Sequence, residues 1–179
     1  MKHFSRLNAP DFLSKNGERW NQQWSNLKQR TPGAKFTWYQ HKGQPVNQKL
    51  IPTLSIQTQG HCSYCDAYPM GPSDETIDHF KPKGNPLFFH LAYSWGNLYW
   101  ACADCQKSKR EQHNEFLLRP DDSDFSFQRF FIYNFNSHQI EVNPSSEPKD
   151  QRRGSATIQI FDLNHASHVK RRIYSWKLW

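Results

Sequence analysis

The sequence predicts an α+β protein. Its parts are N-terminal helices, a central block of strand, long loop, strand and helix, and a C-terminal hairpin followed by a further helix. Three observations carry this reading. Apolar residues recur at helical spacing near the N-terminus, short strand-like runs occupy the middle and the later part of the chain, and two Cys-x-x-Cys turns bracket that middle. The 179 residues amount to one domain on the usual scale of about 100–200. Aromatic residues make up 15% of them, so the core is expected to be weighted toward rings. The expected regions are 1–59 (helical), 60–118 (the cysteine-bracketed core) and 119–179 (hairpin and basic helix), packed as one unit.

Residues 11–30 read as an amphipathic helix with Asp11 as N-cap and Trp20, Trp24 and Leu27 on one face. Thr31-Pro32-Gly33 stops it. Residues 46–58 suit a second helix with Leu50 and Leu54 on one side, against the objection of Pro52 in its middle. Glu75–Phe80 and Trp95–Ala101 are strand candidates, and Gln106–Gln112 suits the first turns of a helix. Phe127–Tyr133 and Gln139–Val142 read as a hairpin turning at Asn136-Ser137. Residues 143–154 have the composition of an exposed linker, Ala156–Phe161 alternates like a strand, and 165–178 suits a basic helix.

A mean hydropathy of −0.93 and the lack of an apolar run near 18 residues argue against a membrane span. The opening Met1–Leu7 is followed by no hydrophobic stretch, so no secretory signal and a cytoplasmic location are expected. Net charge is +7, from 23 Lys and Arg against 16 Asp and Glu, which favours polyanionic partners through counterion release.

Cys62-Ser63-Tyr64-Cys65 and Cys102-Ala103-Asp104-Cys105 form two short turns, with residues 66–101 between them. Each turn can aim two thiolates at one tetrahedral ion, so the pairing points to structural Zn²⁺. A redox Cys-x-x-Cys and four unconnected core thiols are the other readings. Between the turns, Asp78 directly precedes His79, and Asn97-Leu98 opens the second strand.

The combined pattern of Cys-x-x-Cys, Asp78-His79-Phe80-Lys81-Pro82, Asn97-Leu98 and Cys-x-x-Cys-x-x-x-Lys resembles the HNH endonucleases over residues 60–112. That family has a ββα-metal (His-Me finger) fold. Trp95-Gly96-Asn97-Leu98, Leu118-Arg119-Pro120-Asp121-Asp122, Leu163-Asn164-His165 and Arg171-Arg172 further resemble the PtuB-type HNH effectors. These occur in Septu and retron antiphage systems beside a PtuA-type ATPase, in the retron case with a reverse transcriptase and msDNA.

The resemblance implies roles. His79 matches the general base that deprotonates the attacking water, a task suited to imidazole. Asp78 matches a ligand to one divalent cation, Mg²⁺ or Mn²⁺. Asn97 matches the residue that braces the loop carrying the base, and Lys109 matches a basic residue that meets a phosphate. Lys81, Lys107 and Arg110 join it as nucleic-acid contacts. The family carries Asn or His directly after the second cysteine turn as the other metal ligand, where this chain has Gln106, whose longer side chain changes its reach. Adjacent strand residues point to opposite faces, so Asp78 and His79 share a metal only if the strand's end is irregular.

The resulting expectation is hydrolysis of phosphodiester bonds, in DNA or RNA, by a soluble effector. The competing expectation is a zinc-stabilised nucleic-acid-binding or ATPase-docking subunit with a weakened centre, for which Gln106 is the best argument. His61 reads as a surface residue, His90 as a loop or core residue, and Trp20 and Trp24 as core or interface.

Overall fold

The computed structural model describes residues 1–67 and 75–177. Helix α1, Asp11–Arg30, buries Leu13, Gly17, Trp20 and Trp24 at steps of four and three. Asp11 is its first residue rather than its cap; Pro10 occupies the cap position and no side chain bonds the first turn. Leu27, assigned above to the apolar face, is 42% exposed instead, and the buried stripe stops at Trp24. At Gly17 an added Cβ would meet the Tyr93 carbonyl at 3.1 Å, so glycine sets how closely α1 approaches the loop beneath it.

A small hairpin follows that the sequence reading did not contain. Strands β1, Gln40–His41, and β2, Gln44–Pro45, pair antiparallel across Lys42-Gly43, both with positive φ. Helix α2, Val46–Gln57, then buries Val46, Leu50 and Leu54. Pro52 is tolerated because it and Gln48, whose carbonyl it deprives of a donor, both face solvent.

The centre is the antiparallel pair of β3, Thr76–His79, and β4, Leu98–Ala101, in the register Asp78 opposite Tyr99 and His79 opposite Leu98. Two 3₁₀ turns, Pro86–Leu91 and Trp95–Asn97, lie in the connection, and α1 packs on the first. Helix α3, Ala103–Lys109, leaves β4 through the second cysteine turn. It ends three residues before Gln112, with Arg110 at φ +49°. The core is ring-rich: Tyr64 stacks on Phe161 at 3.8 Å and on Tyr99 at 5.6 Å, beside buried Trp100 and Tyr93.

The C-terminal third differs from expectation in three places. Residues 127–130 form a helical turn, α4, Phe127–Phe130, so the hairpin is only β5, Phe131–Asn134, with β6, Gln139–Val142. The supposed linker 143–154 and the supposed strand Ala156–Phe161 are mostly one helix, α5, Pro148–Ile160, begun by a proline at its first position. Its buried positions are Asp150, Gly154 and Thr157, and Phe161 follows it inward. Gly154 lies where a Cβ would come within 2.9 Å of the Phe130 carbonyl, so α5 sits directly on the hairpin's base. Helix α6 is Ala166–Lys177; position 178 of the expected helix lies outside the described residues. Among the described residues no helix is long and apolar enough to cross a membrane.

Candidate metal and nuclease centre

Cys62, Cys65, Cys102 and Cys105 are buried, unbridged and brought together, their sulfurs all within 4.8 Å of one another. A tetrahedral zinc with Zn–S near 2.3 Å separates its sulfurs by about 3.8 Å. The four cysteines therefore fit a zinc ion. Backbone bonds aim them: Ser63 N–H donates to the Trp100 carbonyl at 2.9 Å, and the Cys102 N–H points at Cys62 Sγ at 3.3 Å. His168 from α6, absent from the sequence reading, is buried with Nε2 3.7 Å from Cys105 Sγ. Ser167 and Arg171 of the same helix contact Asp104 between the second pair of cysteines. No spacing rule links His168 to the cysteines, so the chain alone held no signal for it. His61 is half-buried, its Nδ1 at 3.1 Å from the Asp66 carbonyl.

Asp78 and His79 leave β3 on opposite sides, as regular strand geometry requires. Asp78 is buried. It accepts from Tyr64 Oη at 2.8 Å, and Lys109 Nζ lies 3.3 and 3.2 Å from its two oxygens. Lys109 was assigned above to a phosphate. It is instead fully buried, and it also donates to the His79 carbonyl at 2.6 Å. The reason is placement: α3 lays its last turn across β3, and the ammonium finds its partners there. Burial raises the Asp78 carboxyl above its ordinary range, against the opposing pull of Lys109.

This donor set, as arranged, does not fit a divalent cation. The Asp78 carboxylate is engaged by an ammonium and a phenol. Gln106, from α3, turns its amide nitrogen to the Ile77 carbonyl at 3.0 Å. Among the described residues the four cysteines are the one group of three or more His, Cys, Asp or Glu side chains placed to hold a metal.

His79 is on the other side. Its Nε2 lies 2.9 Å from the Ala92 carbonyl, which can only accept, so that nitrogen carries the hydrogen and Nδ1 keeps the lone pair. Its ring lies 22° from coplanar with Trp38 at 5.3 Å and meets the edge of Phe36 at 5.2 Å. Burial, with Lys83 and Lys109 nearby, holds its pKa well below the ordinary 6.5, so it is neutral at pH 7. A histidine depressed in the fold contributes fully above the unfolded value of about 6.5, and the contribution is lost as pH falls from there toward the lowered native value. Urea unfolding of wild type and His79→Gln at pH 7.5 and 5.5 checks this. The wild type is expected to lose about 1 kcal/mol more than the variant between the two, at up to about 1.4 kcal/mol per pH unit; equal losses would contradict it.

Asn97 joins the chain after His79 to the 3₁₀ turn. Its Oδ1 accepts from Lys81 N–H at 2.7 Å, and its Nδ2 donates to the Lys81 and Leu91 carbonyls, both at 3.0 Å. Lys81 is half-buried, with its ammonium over the Phe88 ring, while Lys107 and Arg110 are exposed on and beyond α3. Lys83, which the sequence reading passed over, lies near the centre, pairs with Glu111 at 3.3 Å and sits over Phe36. His90, read as a loop or core residue, is exposed on the first 3₁₀ turn.

The flanking motifs make clasps. Asp121 accepts from Arg6 at 2.7 Å, from Arg119 at 3.2 Å and from Tyr99 Oη, tying the N-terminus to β4. Asn164 brackets the Ile140 N–H and carbonyl at 2.8 Å each, and Arg172 bonds the Leu163 and His138 carbonyls.

No family model matches the chain. It is 29% identical over 94 residues to "Septu protein PtuB" of Bacillus mycoides (strain KBAB4). The match covers 46% of this chain and 30% of that protein, so the chain spans under a third of the relative's length.

Proposed function

We propose that this chain is an HNH-type endonuclease acting in a Septu-type antiphage system beside a PtuA-type ATPase, with His79 as general base. The observation that carries the chemistry is the state of His79. Its Nε2 is committed to the Ala92 carbonyl, its ring is neutral, and Nδ1 is left as the basic atom that takes a proton from water. Asn97 holds the turn from β3, so the imidazole cannot swing with a loose loop. The system assignment is supported by the identity to PtuB and by the clasp motifs; partner and activity come to this chain as proposals.

The family resemblance implies a cation on Asp78 and Gln106. Lys109 stands against that in this arrangement, and no step is derived through one. The same observation favours a second reading, a zinc-braced nucleic-acid-binding or ATPase-docking subunit in which Lys109 has closed the centre for good. Incubating purified chain, with and without the ATPase, with plasmid DNA and total RNA in Mg²⁺, Mn²⁺ or EDTA separates them. Cleavage supports the nuclease and identifies its substrate, and salt-sensitive binding without cleavage supports the second reading.

A further inference from the structure

The segment between α1 and β1, residues 31–39, has no regular structure of its own and lies across the face of β3 that carries His79. Its middle is held by rings: Trp38 over His79, Phe36 edge-on to both His79 and Trp38, and Tyr93 beneath. Its ends are tied by hydrogen bonds. The Thr31 N–H donates to the Leu27 carbonyl at 2.8 Å, and Lys28 Nζ bonds the carbonyls of Pro32 and Ala34. At the other end Tyr93 Oη accepts from the Tyr39 N–H at 3.0 Å and donates to the Thr37 carbonyl at 3.3 Å. Underneath, His79 is only 4% exposed.

A general base must come within hydrogen-bond reach of a water that also reaches the phosphate. Trp38 stacks over the His79 ring and Phe36 packs edge-on to it, and with both in place the imidazole is almost wholly covered. We propose that residues 31–39 are an inhibitory strap: they close His79 off in the resting chain, and cleavage requires them to lift. This rests on His79 being the base. Ring contacts suit a reversible closure, since each is modest and none needs a buried polar partner when broken. Half-buried Trp38 and Phe36 can give up their contacts without unmaking the core beneath.

The test is the rate at which diethyl pyrocarbonate modifies His79, followed by peptide mass spectrometry with exposed His90 as internal reference. Tyr93→Phe keeps the ring under the strap and removes its two hydrogen bonds; Trp38→Ala removes the cover itself. The wild type should modify His79 at least about tenfold more slowly than His90, as burial requires. Tyr93→Phe should raise the His79 rate at least about fivefold, the worth of one of the two lost hydrogen bonds. Trp38→Ala should raise it further, with His90 unchanged in both. A His79 rate equal to that of His90 in wild type, or one that neither variant moves, overturns the strap. Cleavage assays on the same proteins keep the two claims apart. If the variants uncover His79 and nucleic acid stays uncut with the ATPase and metal present, the strap stands and the nuclease reading fails. If wild type cuts while the variants leave His79 as unreactive as before, the reverse holds.

Discussion

Stripping the four-cysteine cluster of zinc, with a strong chelator or by Cys102→Ser, is expected to unravel the second cysteine turn, α3 and the docking of α6 together. The sulfurs are buried and no disulfide joins them, so without an ion they gain neither covalent nor charge-balanced contact. Structural zinc contributes about 10–16 kcal/mol in small zinc-finger peptides, as large as a typical domain's whole margin of about 5–15. The loss should spread because each knuckle is pinned to something else: Ser63 to Trp100 of β4, and Asp104 and Cys105 to Ser167, Arg171 and His168 of α6. Hydrogen exchange reads this directly. Protection at 98–109 and 166–177 should collapse in the zinc-free protein, while α1, with its own Trp20 and Trp24 core, keeps more of its own. Unchanged protection in both segments would mean that the cysteines are a packed thiol cluster.

The second large effect is expected from Lys109→Met. It removes the cation from a carboxylate that is buried with it, and breaking one side of such a pair costs about 3–5 kcal/mol. The Asp78 carboxyl is already raised by burial, and without Lys109 it rises further. A carboxyl raised in the fold gives stability that is present at low pH and lost as pH climbs through its native value. The destabilisation should therefore be larger at pH 8 than at pH 5. Asp78→Asn added to Lys109→Met removes the stranded charge and should recover much of the loss. Urea midpoints of the four proteins in the cycle check this, and an additive double variant at pH 8 would show that the two groups do not interact.

Helices α1 and α2, strands β3 and β4 and the second half of α3 were legible because each carries a local signature: indole and leucine periodicity, strand-like runs between the cysteine turns, and a basic run after the second turn. The cysteine cluster was legible from spacing, since two short turns have few other uses. Helix α5 was not. Its buried face is Asp150, Gly154 and Thr157, held by an ion pair from Arg129 to Asp150 at 2.6 Å and by close backbone approach, so no apolar stripe marks it. The apolar residues it does have, Ala156, Ile158 and Ile160, fall two apart and imitate a strand. Lys109 was misread for a similar reason. A lysine in a basic run looks solvated, and only the tertiary crossing of α3 over β3 shows that it is sealed against Asp78. Trp38 over His79 and His168 beside Cys105 are contacts between segments far apart in the chain, with no periodicity or motif to announce them.

The proposed reaction depends on His79. Its most direct test is cleavage of the nucleic acid that wild type cuts, by His79→Ala carrying the same zinc content and showing the same circular dichroism, in the presence of the ATPase. The rate is expected to fall by about 10²–10⁴, the span that a general base contributes. Cleavage by His79→Ala at the wild-type rate would contradict it and place the chemistry elsewhere.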